Sequence, residues 1–444
     1  MAFGVTNAYG DVQDLYVETV NPANDNQYKL DGQWKDFQVT DAALKVKVFG
    51  PITWTVHKPV LRSVFGPVMK TSQGVFAIRY AGMGEVRQVE QYYRLDKAKD
   101  LAEWRAAMGL QALPSINYIY ADEKGNIGYV YNAQFPNRKA GVDWSGVLPG
   151  DRSDLIWNGY LPFSQTPQIW NPKSGFVFNS NNTPFDATAP ADNLKPAAFP
   201  ASMGVQTDMT NRAYRVEETF GADPKITAEK FAAYKFDLAY SKRSKVAGVV
   251  AELVALDPQG YADFAHAQQI LKGWDLKTDV HNRATALAIL TAQPVLTARE
   301  KGEPVDLRAT LTASIKTLKT HFKRLDPEWG ELNRIRRGHD VDLAIDGGPD
   351  TYRAVYGKPQ ENGTLTAMAG DTYIMFVTWD AHGQLSSQSI HQFGSATSVP
   401  DSPHYADQTK MFVAMKLKPV WFTADQLKGH VEDDYKPRDR APKQ

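Results

Sequence analysis

Two changes of hydrophobic period divide this chain. In its first part, apolar and polar residues alternate in short runs rich in β-branched and aromatic side chains, as in Leu15-Tyr16-Val17-Glu18-Thr19-Val20, which stops at Asn21-Pro22. Such runs predict strands, here also over 37–40, 44–49, 54–56, 76–80, 115–122 and 127–131. Turn chemistry joins some of them. Asp31-Gly32 predicts a tight hairpin between Tyr28-Lys29-Leu30 and Gln33-Trp34, and Lys124-Gly125-Asn126 links the last two strands. A helical period interrupts over 85–108, where Leu95, Leu101 and Trp104 recur at a turn or two. Residues 136–173, rich in Pro, Gly, Asp and Trp, predict a structured surface excursion. It leads to NPKSGFVFNSNNTPF at 171–185, in which Phe176-Val177-Phe178 predicts another short strand.

The pattern turns helical after Pro224. Thr227 is placed to cap a helix, with Lys230 where a capping box would carry glutamate. Helical spacing recurs at 244–256, 262–273, 281–297 and 306–323, so the block 224–337 reads as helix with short turns. Beyond Gly347-Gly348-Pro349 strands return over 372–379 and 385–393, and 403–430 reads as a loop followed by one helix. The organisation expected is an α+β fold: a β-rich part over 1–223, a mostly helical insertion over 224–346, and a return to the β core with a C-terminal helix over 347–444.

Composition narrows the chemistry. The 444 residues carry 50 Lys+Arg and 50 Asp+Glu, a balance that gives no support to a nucleic-acid or anionic-membrane partner. Cysteine is absent, which excludes disulfides, thiolate metal sites and a cysteine nucleophile within these residues. No apolar run approaches the roughly 18 residues that span a bilayer, and MAFGVTNAYGDVQDLYVE lacks the pattern of a signal peptide. G-x-S-x-G, Walker A and G-x-G-x-x-G patterns are missing, and no histidine pair has zinc-hydrolase spacing. Arg336-Arg337-Gly338-His339-Asp340 reads as a solvated loop or local ion-pair network.

Two stretches keep chemical interest. Asn179, Asn181 and Asn182 crowd four positions after an apolar run; a side-chain amide held there donates N–H to an oxygen that becomes negative during a reaction, or else satisfies its own turn. Asp11 and Asp14 place two carboxylates three residues apart after Gly10, a start on the hard-oxygen set that calcium requires, or a solvated turn. Arg212 and Arg215 follow the asparagine region as structural ion-pair partners or anchors of a polar site.

TNAYGDVQDLYVE, SINYIYADEKGNIGYVYNAQFPNR, WNGYLPF, NPKSGFVFNSNNTPF and SPHYADQTKMF, in that order, resemble the β-chain of the penicillin acylase family, which includes acyl-homoserine-lactone acylases. The resemblance implies an Ntn-hydrolase-like αββα sandwich with a helical excursion. It also implies a proenzyme cut autocatalytically into an α-chain and a β-chain, whose new N-terminal serine attacks an amide with its own α-amino group as base. By the same resemblance Asn181 is the oxyanion-hole asparagine, Asn7 supplies a backbone N–H to the same oxyanion, and Arg212 orients the site. Ile116 and Val5 would line the acyl pocket. Structural Ca²⁺ would take Asp11 and Asp14, carbonyls of Gln13 and Trp144, and an acid that falls either on Asp192 or on its neighbour Asn193.

In the family the serine stands well upstream of the T-N-x-x-G-D segment, which here begins at Thr6; Met1 is no nucleophile and Gly394-Ser395 lies far downstream. The chain by itself is therefore expected to be an N-terminally truncated acylase part without turnover. Its complete form would hydrolyse a small-molecule amide of a hydrophobic acyl group, penicillin-like or acyl-homoserine-lactone-like, in the periplasm or outside the cell. The alternative is a non-catalytic acylase-like binding module or a decayed gene fragment.

Overall fold

The structure, a computed structural model, describes residues 1–258, 260–431 and 433–436. The last positions of the expected C-terminal part, 437–444, lie outside the described residues. The chain divides into two compact units, Met1–Met209 and Thr210–Gln444.

The first unit is built on strands whose alternation the sequence displays. A four-stranded antiparallel sheet runs in the order Ala2–Asn7, Ser115–Ala121, Ile127–Ala133, Gln168–Trp170, so the opening strand lies at its edge. The central hairpin turns at Gly125, with φ of +81°, while the Asp122 carboxylate accepts from the backbone N–H of Lys124 and Asn126. One face of this sheet packs on the helices Gln88–Lys97 and Leu101–Met108. Fully buried Trp104 sits there between the rings of Tyr118 and Tyr120, at centroid distances of 5.7 and 5.1 Å. Gly128 is obligatory opposite this cluster, because a Cβ would come within 2.2 Å of the Trp170 ring. The other face carries Tyr129, Tyr131, Phe135 and Ile169 into a second core.

The single helical pattern at 85–108 is thus two helices. Asp100 breaks it: its carboxylate accepts from Glu103 N–H and starts the second helix, since a capping side chain favours a new start over continuation. A six-stranded sheet includes Gln13–Val17 and ends in a long arm, Gln38–Phe49 paired with Ile52–Arg62. The runs 37–40 and 44–49 are therefore one continuous strand rather than two. Asp31 and Gly32 both take positive φ, +48° and +81°, the mirror-image turn that closes a two-residue hairpin.

The second unit holds helices Ala228–Lys235, Lys245–Ala255, Ala262–Lys272, Thr285–Glu300 and Leu307–Phe322, each within a few residues of its expected place. The last four bury Val249, Leu253, Phe264, Leu287, Leu311 and Leu318 in one core. Thr227 caps the first as expected, accepting from Lys230 N–H at 3.3 Å. Thr227→Ala is expected to cost about 1 kcal/mol, read as a lower urea midpoint at unchanged slope.

Three expectations fail here. Helix Asn211–Glu218 precedes the predicted helical block, started by Thr210, whose side chain accepts from Ala213 N–H. Asn333–Arg337 is a strand, not helix, and pairs with Val341–Ala344. Its inward positions are Asn333 and Ile335, while Arg334 and Arg336 on the other face both reach Asp342; this places the expected ion-pair network of the Arg336–Asp340 stretch on a hairpin. The tail forms two short helices, Thr409–Val413 and Ala424–Leu427, instead of one. The antiparallel pair Tyr373–Trp379 and Leu385–His391 stands where the late strands were expected. Among the described residues, no helix is long and apolar enough to cross a membrane.

Candidate active site

Within the first unit the asparagine-rich segment closes onto the end of the edge strand. The Asn181 side-chain nitrogen donates to the Asn7 carbonyl oxygen at 3.0 Å, joining residues 174 positions apart. Asn181 has φ of +61°, a left-handed backbone that asparagine tolerates better than most residues with a Cβ. Its backbone N–H donates to Asn179 Oδ1 at 2.9 Å, and its carbonyl accepts from Gln206 Nε2 at 3.1 Å.

Asn179 does more than satisfy its own turn. The same Oδ1 accepts from the Thr6 hydroxyl, so Asn179 ties the Asn181 backbone to the strand. Asn182 does keep a local role: fully buried, it accepts from Ser180 N–H and donates to the carbonyls of Thr183 and Asp186. These loop bonds use up the backbone that a strand would need. Phe178 N–H goes to Ala187 O, and Phe176 O accepts from the Thr188 hydroxyl, so the Phe176–Phe178 run is extended without joining a sheet.

Four consecutive residues of the strand end are held by groups from elsewhere in the chain. Thr6 bonds Asn179; the Asn7 carbonyl accepts from Asn181 and, at 2.9 Å, from Asn117. Ala8 O accepts from Ser115 Oγ at 2.8 Å, and Tyr9 N–H donates to Gln206 Oε1 at 2.8 Å. Asn117 is buried, and its own Oδ1 accepts from Tyr129 Oη. A carbonyl with two amide donors has both lone pairs engaged, which fixes its peptide plane. Asn117 and Gln206 were missed by the sequence reading. For Asn117 a signal existed: Ser115 and Asn117 put two polar groups on one face of an otherwise apolar, aromatic strand.

Val5 and Asn7 alternate on that strand, and Ile116 lies directly opposite Asn7, so all three share a sheet face. Val5 is half exposed, whereas Ile116 leans on the aromatic core around Trp104. Arg212 belongs to the second unit, in helix Asn211–Glu218, where its Nε donates to Asp350 Oδ1 at 2.9 Å. Burial works against its charge, but the Asp350 carboxylate outweighs this and raises its pKa.

The expected calcium ligands do not form a calcium cage. Asp11 and Asp14 do meet, but around the guanidinium of Arg138. Burial raises the Asp14 pKa, opposed by the charge of Arg138 and a hydrogen bond from Trp157. Gln13 is exposed at the start of its strand. Trp144 presents its ring to Arg138, 5.5 Å from the centroid, while its indole N–H donates to Lys139 O. Asp192 accepts from Ser174 N–H at 2.7 Å, and Asn193 from the N–H groups of Ala187 and Thr188; both serve their own loop. Among the described residues, no three His, Cys, Asp or Glu side chains are grouped to hold a metal ion. Arginine presents N–H donors where a calcium ion needs oxygen ligands, so these residues do not fit the ion.

Comparison with known proteins gives the family and the fold. Penicillin G acylase of Escherichia coli is 30% identical over 246 residues, 52% of this chain and 26% of that protein. The acyl-homoserine lactone acylase PvdQ of Pseudomonas syringae pv. syringae (strain B728a) is 24% identical over 463 residues, 92% of this chain and 59% of that protein. The chain thus spans less than two thirds of the length of these curated relatives. Among solved structures, the thermostable penicillin G acylase from Alcaligenes faecalis matches with a TM-score of 0.64 at 18% identity, over 98% of this chain and 87% of that one. That likeness shows the fold, the α+β Ntn-hydrolase fold that the sequence motifs implied. A family model described as penicillin amidase matches residues 1–429, and the chain belongs to that family.

Proposed function

We propose that this chain is the oxyanion-binding part of an acylase that hydrolyses the amide of a hydrophobic acyl group. The observation that carries the reading is the Asn181–Asn7 contact, at a strand end held by four consecutive residues. Attack on an amide carbonyl turns its oxygen into an alkoxide. Donors already fixed at that position stabilise the charge without reorganising. In this reading the Asn181 amide, oriented by the Asn7 carbonyl, donates through Nδ2, and the Asn7 backbone N–H is the second donor. Val5 and Ile116 give the same face an apolar character that suits an acyl group.

The attacking group is proposed to be the N-terminal serine of the mature family β-chain, on polypeptide beyond the residues described here. Its α-amino group would take the hydroxyl proton and pass it to the leaving amine. The α-chain of the same proenzyme would be the protein partner, and the periplasm or the extracellular space the site of action.

The test compares this chain with the complete precursor on phenylacetyl and long-chain acyl amides. Turnover by the processed complete protein and none by this chain is the expected result. Turnover by this chain alone would overturn the division of labour, and failure of the processed protein on every acyl amide would overturn the hydrolase reading.

A further inference from the structure

We propose that the guanidinium of Arg138 is the resident cation between Asp11 and Asp14, and that this position takes no divalent ion. The hydrogen-bond arithmetic closes. A guanidinium has five N–H bonds, and five acceptors surround this one. Nη1 donates to Asp11 Oδ2 at 2.9 Å and to Ser202 O at 2.9 Å. Nη2 donates to Asp11 Oδ1 and Asp14 Oδ1, both at 3.0 Å, and Nε to Asp14 Oδ2 at 3.1 Å. Trp157 Nε1 adds a further bond to Asp14 Oδ2 at 2.7 Å.

Every carboxylate oxygen of the pair thus already accepts a charge-assisted bond from one planar fork. The side chains of Arg138 and Asp14 are fully buried. An entering divalent ion would have to expel the guanidinium or sit beside it, and like charges at that range beside a fully buried guanidinium repel strongly. Calcium needs six to eight oxygens, and the arginine holds four carboxylate oxygens and one carbonyl.

The cluster also joins two pieces of the candidate active site. Arg138 fastens Asp11, four residues beyond Asn7, to Ser202, and Asp11 N–H donates to Gly204 O at 3.2 Å. Two residues further on, Gln206 reaches both Tyr9 and Asn181. A fixed arginine makes this fastening independent of ion supply, whereas a calcium ion would make it sensitive to chelators.

Removing the arginine should uncover what it occupies. Arg138→Ala leaves four carboxylate oxygens and the Ser202 carbonyl around a vacated space, with water to complete a calcium shell. The test measures the melting temperature and calorimetric calcium binding of this chain, with millimolar calcium chloride or with EDTA. For the native chain the expected result is no calcium binding and the same Tm in both. Arg138→Ala should melt lower in EDTA and recover by several degrees in calcium, because an ion bound only by the folded form stabilises it. Arg138→Lys, which keeps one charge but not the fork, should melt lower and ignore calcium. Stoichiometric calcium binding with a rise in Tm by the native chain would overturn the proposal. So would a folded Arg138→Ala that does not respond to calcium. If that variant does not fold, the native chain and Arg138→Lys decide: calcium stabilisation of either one overturns the proposal.

Discussion

Replacing Asn181 with alanine in the assembled enzyme is expected to lower kcat by about 10²–10³ while changing KM far less. The reasoning lies in where the charge appears. A ground-state amide carbonyl accepts a hydrogen bond about as well from water as from a side chain, but the alkoxide of the tetrahedral intermediate gains far more from a donor already aimed at it. The structure also shows why the loss should be chemical rather than structural. Asn181→Ala removes one of two bonds to the Asn7 carbonyl, and Asn117 still holds that oxygen at 2.9 Å. The neighbouring tethers at Thr6, Ala8 and Tyr9 do not involve the Asn181 side chain. Alanine at φ of +61° adds backbone strain of about 1–2 kcal/mol, which a denaturation curve reports separately from kcat. Asn117→Ala should behave in the opposite way, with stability falling first, because it leaves the buried Tyr129 hydroxyl without its acceptor. An Asn181→Ala enzyme with native kcat and a raised KM would sink the oxyanion assignment.

What could be read from the sequence depended on how far apart the cooperating residues lie. Asp11 and Asp14 are three positions apart, and the asparagines fall within four, so their types alone advertised a polar site. The residue that decides what the aspartates do, Arg138, is more than a hundred positions away in a stretch that reads as loop. Nothing local marks it as a buried cation. The same holds for Gln206, which looks like an ordinary loop residue until its bonds to Tyr9 and Asn181 are seen.

The four longer helices of the second unit were legible because each buries a stripe of its own, as Val246, Val249, Val250 and Leu253 do. Asn333–Arg337 was not, because only Ile335 among its five residues is an apolar residue facing the core, and arginines fill both neighbouring positions. Period-two alternation needs at least two apolar members to be seen. The Phe176–Phe178 run shows the converse error. Its composition is that of a strand, but the Thr188 hydroxyl and the Ala187 carbonyl of its own loop take backbone groups a ladder would use.

Glu18→Gln is expected to leave stability unchanged below about pH 4 and to raise it by about 3 kcal/mol above about pH 8. Glu18 lies just beyond strand Gln13–Val17, its backbone N–H bonded to Val75 O. Its side chain is buried, and neither carboxylate oxygen makes a well-formed hydrogen bond, the Ser63 hydroxyl lying near enough only to ease the charge in part. Tyr28, the titratable neighbour, is itself pushed up by burial and spends its hydroxyl oxygen accepting from Val64 N–H. Burial raises the Glu18 pKa from 4.5 to about 7, with Ser63 only partly opposing the rise. A carboxyl with a raised folded-state pKa keeps its proton in the native protein at a pH where the unfolded chain has released it. Between the unfolded value and about 7 the native state therefore binds more protons, and stability falls as pH rises across that window. Below it both states are protonated; above it both are ionised, and the full cost of the buried charge persists. Glutamine never ionises, so the difference between the two proteins isolates this group from every other titration. Denaturant midpoints measured across the range should converge in acid and separate with a half-point at about pH 6, midway between the two pKa values. Parallel profiles would show that the Glu18 carboxylate finds water or a partner when it ionises. The cost of this charge makes this edge of the first unit more stable as pH falls toward 4.5, independently of the proposed oxyanion donors at Asn7 and Asn181.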